Sequence, residues 1–148
     1  MNRRNFAVTL LAACALPAVV NAQGPIPMTV YKSPACGCCS GWVGHARRSG
    51  FSARVIDVAD LAPVKARLGV PGALASCHTS VAGSAVFEGH VPLADVRRFI
   101  SRPQGLGLAV PGMPLGSPGM EAPGGAVQPF QVLAFDRQGR THVFARYE

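Results

Sequence analysis

Three thiols stand within four residues in Cys36-Gly37-Cys38-Cys39, and a fourth stands beside an imidazole in Cys77-His78. A loop this short barely restricts an unfolded chain, so three crowded cysteines make poor staples and better reagents. Cys36 and Cys39 alone have the Cys-x-x-Cys spacing of a disulfide oxidoreductase, with Cys36 as nucleophile and Cys39 as resolving thiol. Cys38 is one sulfur more than a redox pair needs. Converging thiolates suit a soft ion, above all copper(I), and sulfur shared between ions permits more than one copper. Four thiolates also make a good tetrahedral zinc site, so zinc stands as the alternative metal.

Other donors extend the set. His78 adjoins Cys77, either as a ligand or as a side chain that orients one. His90, in Glu88-Gly89-His90-Val91-Pro92, falls where a strand gives way to a helix and is a candidate for ligation or proton handling. Met113 and Met120 recur in matched Pro-Gly-Met turns seven residues apart. Isolated Met usually anchors packing, but a thioether also suits copper(I) and is rare for zinc. The candidate metal set is therefore Cys36, Cys38, Cys39, Cys77, His78, His90, Met113 and Met120. His45 reads as a solvated helix residue, and His142 takes no role.

The elements that must position these groups follow from pattern. Met28–Ser33 reads as a strand, Pro34-Ala35 breaks it, and Cys38–Ser49 reads as a helix closed by Gly50. Thiols at the start of that helix meet its free N–H groups and its positive end, which favour thiolate. Phe51–Val58 alternates as a strand, and Asp60 caps a helix carrying Leu61, Val64 and Leu68. Thr79–Ala82 and Ala85–Glu88 form a hairpin about Gly83-Ser84, and Pro92 opens a third helix. The order is βαβα-ββα, that of an α/β (α+β) thioredoxin-like core. In such a core the Cys77 turn faces the first helix, at the place that fold usually gives to a cis-proline.

Pro103–Pro129 holds 6 Pro and 7 Gly in 27 residues, the composition of a linker. Two alternating strands follow, Phe130–Asp136 and Thr141–Tyr147, joined by Arg137–Arg140 as a C-terminal hairpin. A Gly/Pro-rich stretch that leaves a domain and returns to it is expected to be a lid loop, its two Met residues aimed at the cysteines.

Arg3-Arg4, then the 15 apolar-rich residues Phe6–Val20, then Val20-Asn21-Ala22 read as an export signal over residues 1–22. That run is short of the roughly 20 residues a spanning helix needs, so no stable membrane insertion is expected. Arg3–Phe6 also fits the twin-arginine route, and Leu11–Cys14 a lipoprotein box with an anchor at Cys14. A periplasmic protein is the expectation, with residues 28–147 as its one metal-binding domain. The net charge of +7 is dispersed, with Arg47-Arg48 and Arg97-Arg98 the adjacent pairs outside the leader, so nucleic acid is not an expected partner.

Several segments together resemble one family. They are Tyr31–Pro34, Cys36–Cys39 with Trp42, Ser76–Thr79, Glu88–Pro92 and Val110–Met120, and the resemblance covers roughly residues 28–147. It is to the CopG-like family of small exported metal-binding proteins. The resemblance implies a thioredoxin-like fold, copper binding by the cysteines and a role in bacterial copper resistance. It brings no named reaction. The expected partners are copper ions and other periplasmic copper-handling proteins. A copper(I) homeostasis protein that changes the metal's oxidation state, a thiol–disulfide oxidoreductase and a zinc-stabilised interaction module are the functions to separate.

Overall fold

A computed structural model describes residues 24–148, so the expected leader with Cys14 lies outside the described residues. The chain runs β1 (Ile26–Lys32), α1 (Gly37–Arg48), β2 (Phe51–Asp57), α2 (Ala62–Leu68), β3 (His78–Ala82), β4 (Ala85–Glu88) and α3 (Leu93–Ser101). It then continues through β5 (Gly107–Ala109), β6 (Phe130–Phe135) and β7 (Thr141–Tyr147). The expected alternation is present, with ends moved by one or two residues. The expected cap of α2, Asp60, is not its N-cap. That place falls to Leu61, one residue later and without a side-chain capping bond, while Asp60 accepts from the Ala62 N–H at 2.9 Å from just outside the helix.

All seven strands form one sheet in the order β2-β1-β3-β4-β5-β6-β7. β1 pairs parallel with β2, β4 pairs parallel with β5, and the other neighbours are antiparallel. Successive strand residues point to opposite faces, and the burial follows that rule. Phe87, Leu108 and Ala134 join Trp42 of α1 and Val96 and Phe99 of α3 in the main core. Their neighbours Val86, Ala109 and Phe135 instead pack with Val70, Leu74 and Leu106 on the other face. The core therefore lies mainly between the sheet and α1 with α3, and the fold is mixed α+β.

One expectation needs correction. Pro103–Pro129 is not wholly a loop, because Gly107-Leu108-Ala109 forms β5 in the middle of the sheet. Three residues opening on Gly carry no readable periodicity. Gly107 sits there because the sheet demands close approach, as a Cβ would stand 1.8 Å from the Val86 carbonyl oxygen. The lid proper runs from Val110 to Pro129, with its ends fixed in the adjacent strands β5 and β6. It carries its own backbone bonds, including Gly116 N–H to Met120 O at 2.9 Å, Met120 N–H to Ser117 O at 2.8 Å and Gln128 N–H to Leu115 O at 2.9 Å. Satisfied polar backbone, more than apolar burial, orders this segment.

Candidate metal centre

The strand-to-helix junction places Cys36 as the N-cap of α1, where its Sγ accepts from the Cys39 N–H at 3.3 Å. Cys36 and Cys39 are joined as a disulfide, Cys39 fully buried and Cys36 half-buried. Cys38 and Cys77 are free thiols, both half-buried. Cys38 Sγ lies 3.5 Å from Cys36 Sγ. The Cys77 turn closes the group, its carbonyl oxygen 3.8 Å from Cys39 Sγ. All four sulfurs lie within 4.8 Å of one another. No cis peptide occurs among the described residues, so the turn facing α1 is an all-trans segment.

Cys77 also belongs to a second donor group with His78 and His90, again within 4.8 Å. His90 is buried, with Nε2 2.9 Å from Cys77 Sγ and Nδ1 2.8 Å from Pro118 O. A carbonyl oxygen can only accept, so Nδ1 holds the proton and Nε2 of the neutral ring presents its lone pair toward Cys77. Burial lowers the His90 pKa, opposed by its bond to Pro118 and by the charge of Glu121. Burial also pushes the Cys77 thiol up to about 11, with Cys38 the next cause, so the pair rests as thiol and neutral imidazole. A soft metal would displace that thiol proton.

His78 is buried against Trp42, ring centroids 4.8 Å apart, with Nδ1 3.3 Å from Cys77 Sγ. Burial pulls its pKa down to about 3, and His90, Lys65 and Lys32 add repulsion in that order. Its Nε2 is the one buried side-chain N or O atom without a hydrogen-bond partner among the described residues. Such an orphan is costly in an interior. The donor chemistry fits a thiophilic ion.

The lid sits on this centre through its backbone. Gly119 has φ +85°, and a Cβ there would stand 2.7 Å from both the Cys38 carbonyl oxygen and the Trp42 nitrogen. Only glycine lets the lid lie that close. Trp42 in turn donates from Nε1 to Val91 O at 2.9 Å, tying α1 to the His90 segment. Met120 follows Gly119 directly and is half-buried. Met113 is placed differently from the expectation that both Met residues face the cysteines. It is 51 % exposed, in a cleft with Pro114, Gln128, Phe130 and Leu133 that contains no Cys or His.

Residues that the sequence reading passed over also act here. His45 is not simply solvated, since its Nε2 pairs with Glu121 of the lid at 2.5 Å. Glu121 also accepts from the Gly119 N–H at 3.0 Å. Trp42 carried a signal, as a lone Trp four residues past Cys38, but His45 and Glu121 carried none.

Residues 74–120 match a family described as a protein of unknown function, DUF411. No curated protein matches the sequence. Two solved structures, forms 1 and 2 of the copper resistance protein CopG, are each 43 % identical to this chain. Form 1 aligns over 83 % of this chain and 98 % of its own, with a TM-score of 0.79. Form 2 aligns over 84 % and 99 %, with a TM-score of 0.80. At that identity over nearly the full length of both relatives, the chain belongs to the CopG-like copper resistance family.

Proposed function

We propose that this chain is an exported, periplasmic copper(I)-binding protein of copper homeostasis and resistance. The observation that carries the reading is the convergence of four sulfurs within 4.8 Å, with Cys77 shared by a second group containing His78 and His90. Sulfurs at such separations can bridge copper(I) ions, so the cargo is more than one copper per chain. Cys36, Cys38, Cys39 and Cys77 are the principal donors, His78 and His90 complete or orient them, and half-buried Met120, rather than exposed Met113, is the thioether the lid offers. The solved relatives are copper resistance proteins, which supports this cargo.

The Cys36–Cys39 disulfide sets a condition on loading. Opening it consumes two electrons and two protons and yields two thiols. The oxidised chain therefore offers two thiols and the reduced chain four. Closing the two thiols back to the disulfide releases two electrons and two protons, and the electrons would reduce two copper(II) to copper(I) or pass to other periplasmic copper-handling proteins. The decisive experiment compares both forms by competition against a copper(I) chelator, elemental analysis and thiol counting. Reduced protein is expected to hold more than one copper(I), more tightly than zinc, and oxidised protein fewer. A single zinc that copper cannot displace would overturn the reading.

A second reading is a thiol–disulfide oxidoreductase. Its support is the asymmetry of the disulfide, with Cys36 half-buried at a helix N-terminus and Cys39 fully buried, as an attacking and a resolving thiol require.

A further inference from the structure

Behind the thiols lies a buried charge pair that the copper reading does not use. Glu88 ends β4 and is fully buried. Its Oε1 accepts from the Ser76 backbone N–H at 2.6 Å and from Lys65 Nζ at 2.5 Å, and its Oε2 accepts from Thr79 Oγ1 at 2.6 Å. Lys65, whose side chain is 12 % exposed, also donates to Thr79 Oγ1 at 3.0 Å. One carboxylate thus gathers donors from α2, from β3 and from the turn before β3. An ionised carboxylate survives burial only when so satisfied.

The donor that matters is the Ser76 N–H, because Cys77 follows it. Ser76 Oγ also donates to Gly112 O at 2.7 Å, and the Gly89 N–H donates to His78 O at 2.9 Å. The Ser76–His78 turn is therefore held from inside by Glu88, from the lid by Gly112 and from just past β4 by Gly89. This is the turn that sets Cys77 Sγ 2.9 Å from His90 Nε2. We infer that Glu88, charge-balanced by Lys65, is a positioning residue for Cys77, fixing the turn that delivers this sulfur to both donor groups. Glu88 touches none of the donor atoms itself. Its effect on copper rests on the function proposed above, whereas its effect on the thiol does not.

The test uses the reduced protein and its Glu88→Gln variant. Alkylation of Cys77 is measured against alkylation of Cys38 in the same molecules, alongside copper(I) competition and a thermal melt. Cys38 lies on α1, outside the Glu88 network, and serves as the internal control. Loss of the carboxylate charge is expected to raise the Cys77-to-Cys38 ratio at least about fivefold and to weaken copper(I) binding at least about tenfold. A role limited to stability would lower the melting temperature and speed both alkylations together, leaving the ratio unchanged. That result, or parental ratio and affinity, overturns the inference. Should Glu88→Gln fail to fold, amide exchange in the parent decides. A Ser76 amide exchanging far more slowly than that of exposed Ala73 supports the clamp, and equal rates overturn it. A parent that binds no copper(I) defeats the proposed function but leaves the thiol ratio as a full test of Glu88.

Discussion

Cys38 Sγ lies 3.5 Å from a sulfur that is already bonded to Cys39, so this one thiol separates the two chemistries open to the site. In a copper cluster it is a donor, and Cys38→Ser should weaken copper(I) binding about as much as Cys36→Ser, by at least roughly tenfold. In a plain oxidoreductase Cys38→Ser keeps disulfide reductase activity while Cys36→Ser abolishes it. Parallel chelator competition and reductase assays on the two variants decide, and reductase activity in Cys38→Ser without copper binding would sink the cluster. The methionines invite a similar contrast. Leu conserves most of the volume, so either Met→Leu change should cost less than about 1.5 kcal/mol of stability. Met120→Leu should alter copper affinity or redox potential, and exposed Met113→Leu should stay closer to the parent. A double variant that binds and cycles copper like the parent would make both residues packing anchors.

The element that most needs testing is the lid. Gly119 combines a positive φ with contact against Cys38 and Trp42, so Gly119→Ala adds backbone strain and a clash at once. A loss of roughly 1–3 kcal/mol is expected from the denaturant midpoint, with faster copper release in stopped flow. Unchanged stability and release would show that the lid does not rest on α1. These contacts were not legible in the sequence, although the helices and the long strands were. Asp60, Gly50 and the alternation in Phe51–Asp57 are local signals, and locally encoded elements came out within two residues of expectation. β5 is set by its neighbours β4 and β6 rather than by three residues of its own pattern. Glu88 is the same lesson at the site. A charged residue ending a strand reads as solvated, and only the fold brings Lys65, Thr79 and Ser76 around it. The cysteines were legible because their spacing is itself unusual. Their pairing into a Cys36–Cys39 disulfide and two thiols matched one of the readings that spacing left open, and spacing alone did not choose it.

Across the whole molecule the C-terminal hairpin is secured to α3. Tyr147 Oη donates to Asp95 Oδ2 at 2.7 Å, and the Arg98 guanidinium lies 4.2 Å from the Phe144 ring centre. Burial first, and then the bond and the charge of Asp95, push the Tyr147 phenol from 10.0 up to about 12. The folded state therefore holds this proton more tightly than the unfolded chain. The contribution to stability is complete below pH 10.0 and fades as the pH rises toward about 12. Tyr147→Phe should lower stability near neutral pH by about 1 kcal/mol and flatten the melting profile in that alkaline window relative to the parent. Cys77 titrates in both proteins, so the difference between the two profiles isolates Tyr147. Identical profiles would place the alkaline sensitivity elsewhere. No helix among the described residues is long and apolar enough to cross a membrane.

The bracketing of the lid by β5 and β6 has a further consequence. A polypeptide whose exposed excursion begins and ends in adjacent strands can be cut within the excursion and remain one particle. Val127 is 65 % exposed, an obvious place for a protease to enter. The smaller fragment beyond it would keep β6 in its ladder with β5 and bring β7 with it, yet it contains no cysteine. The larger fragment would retain every thiol, together with His78 and His90. The two pieces should co-elute after limited proteolysis and, expressed separately, find each other by strand pairing. The chain thus divides into a catchment that carries the sulfur chemistry and a detachable brace that carries none.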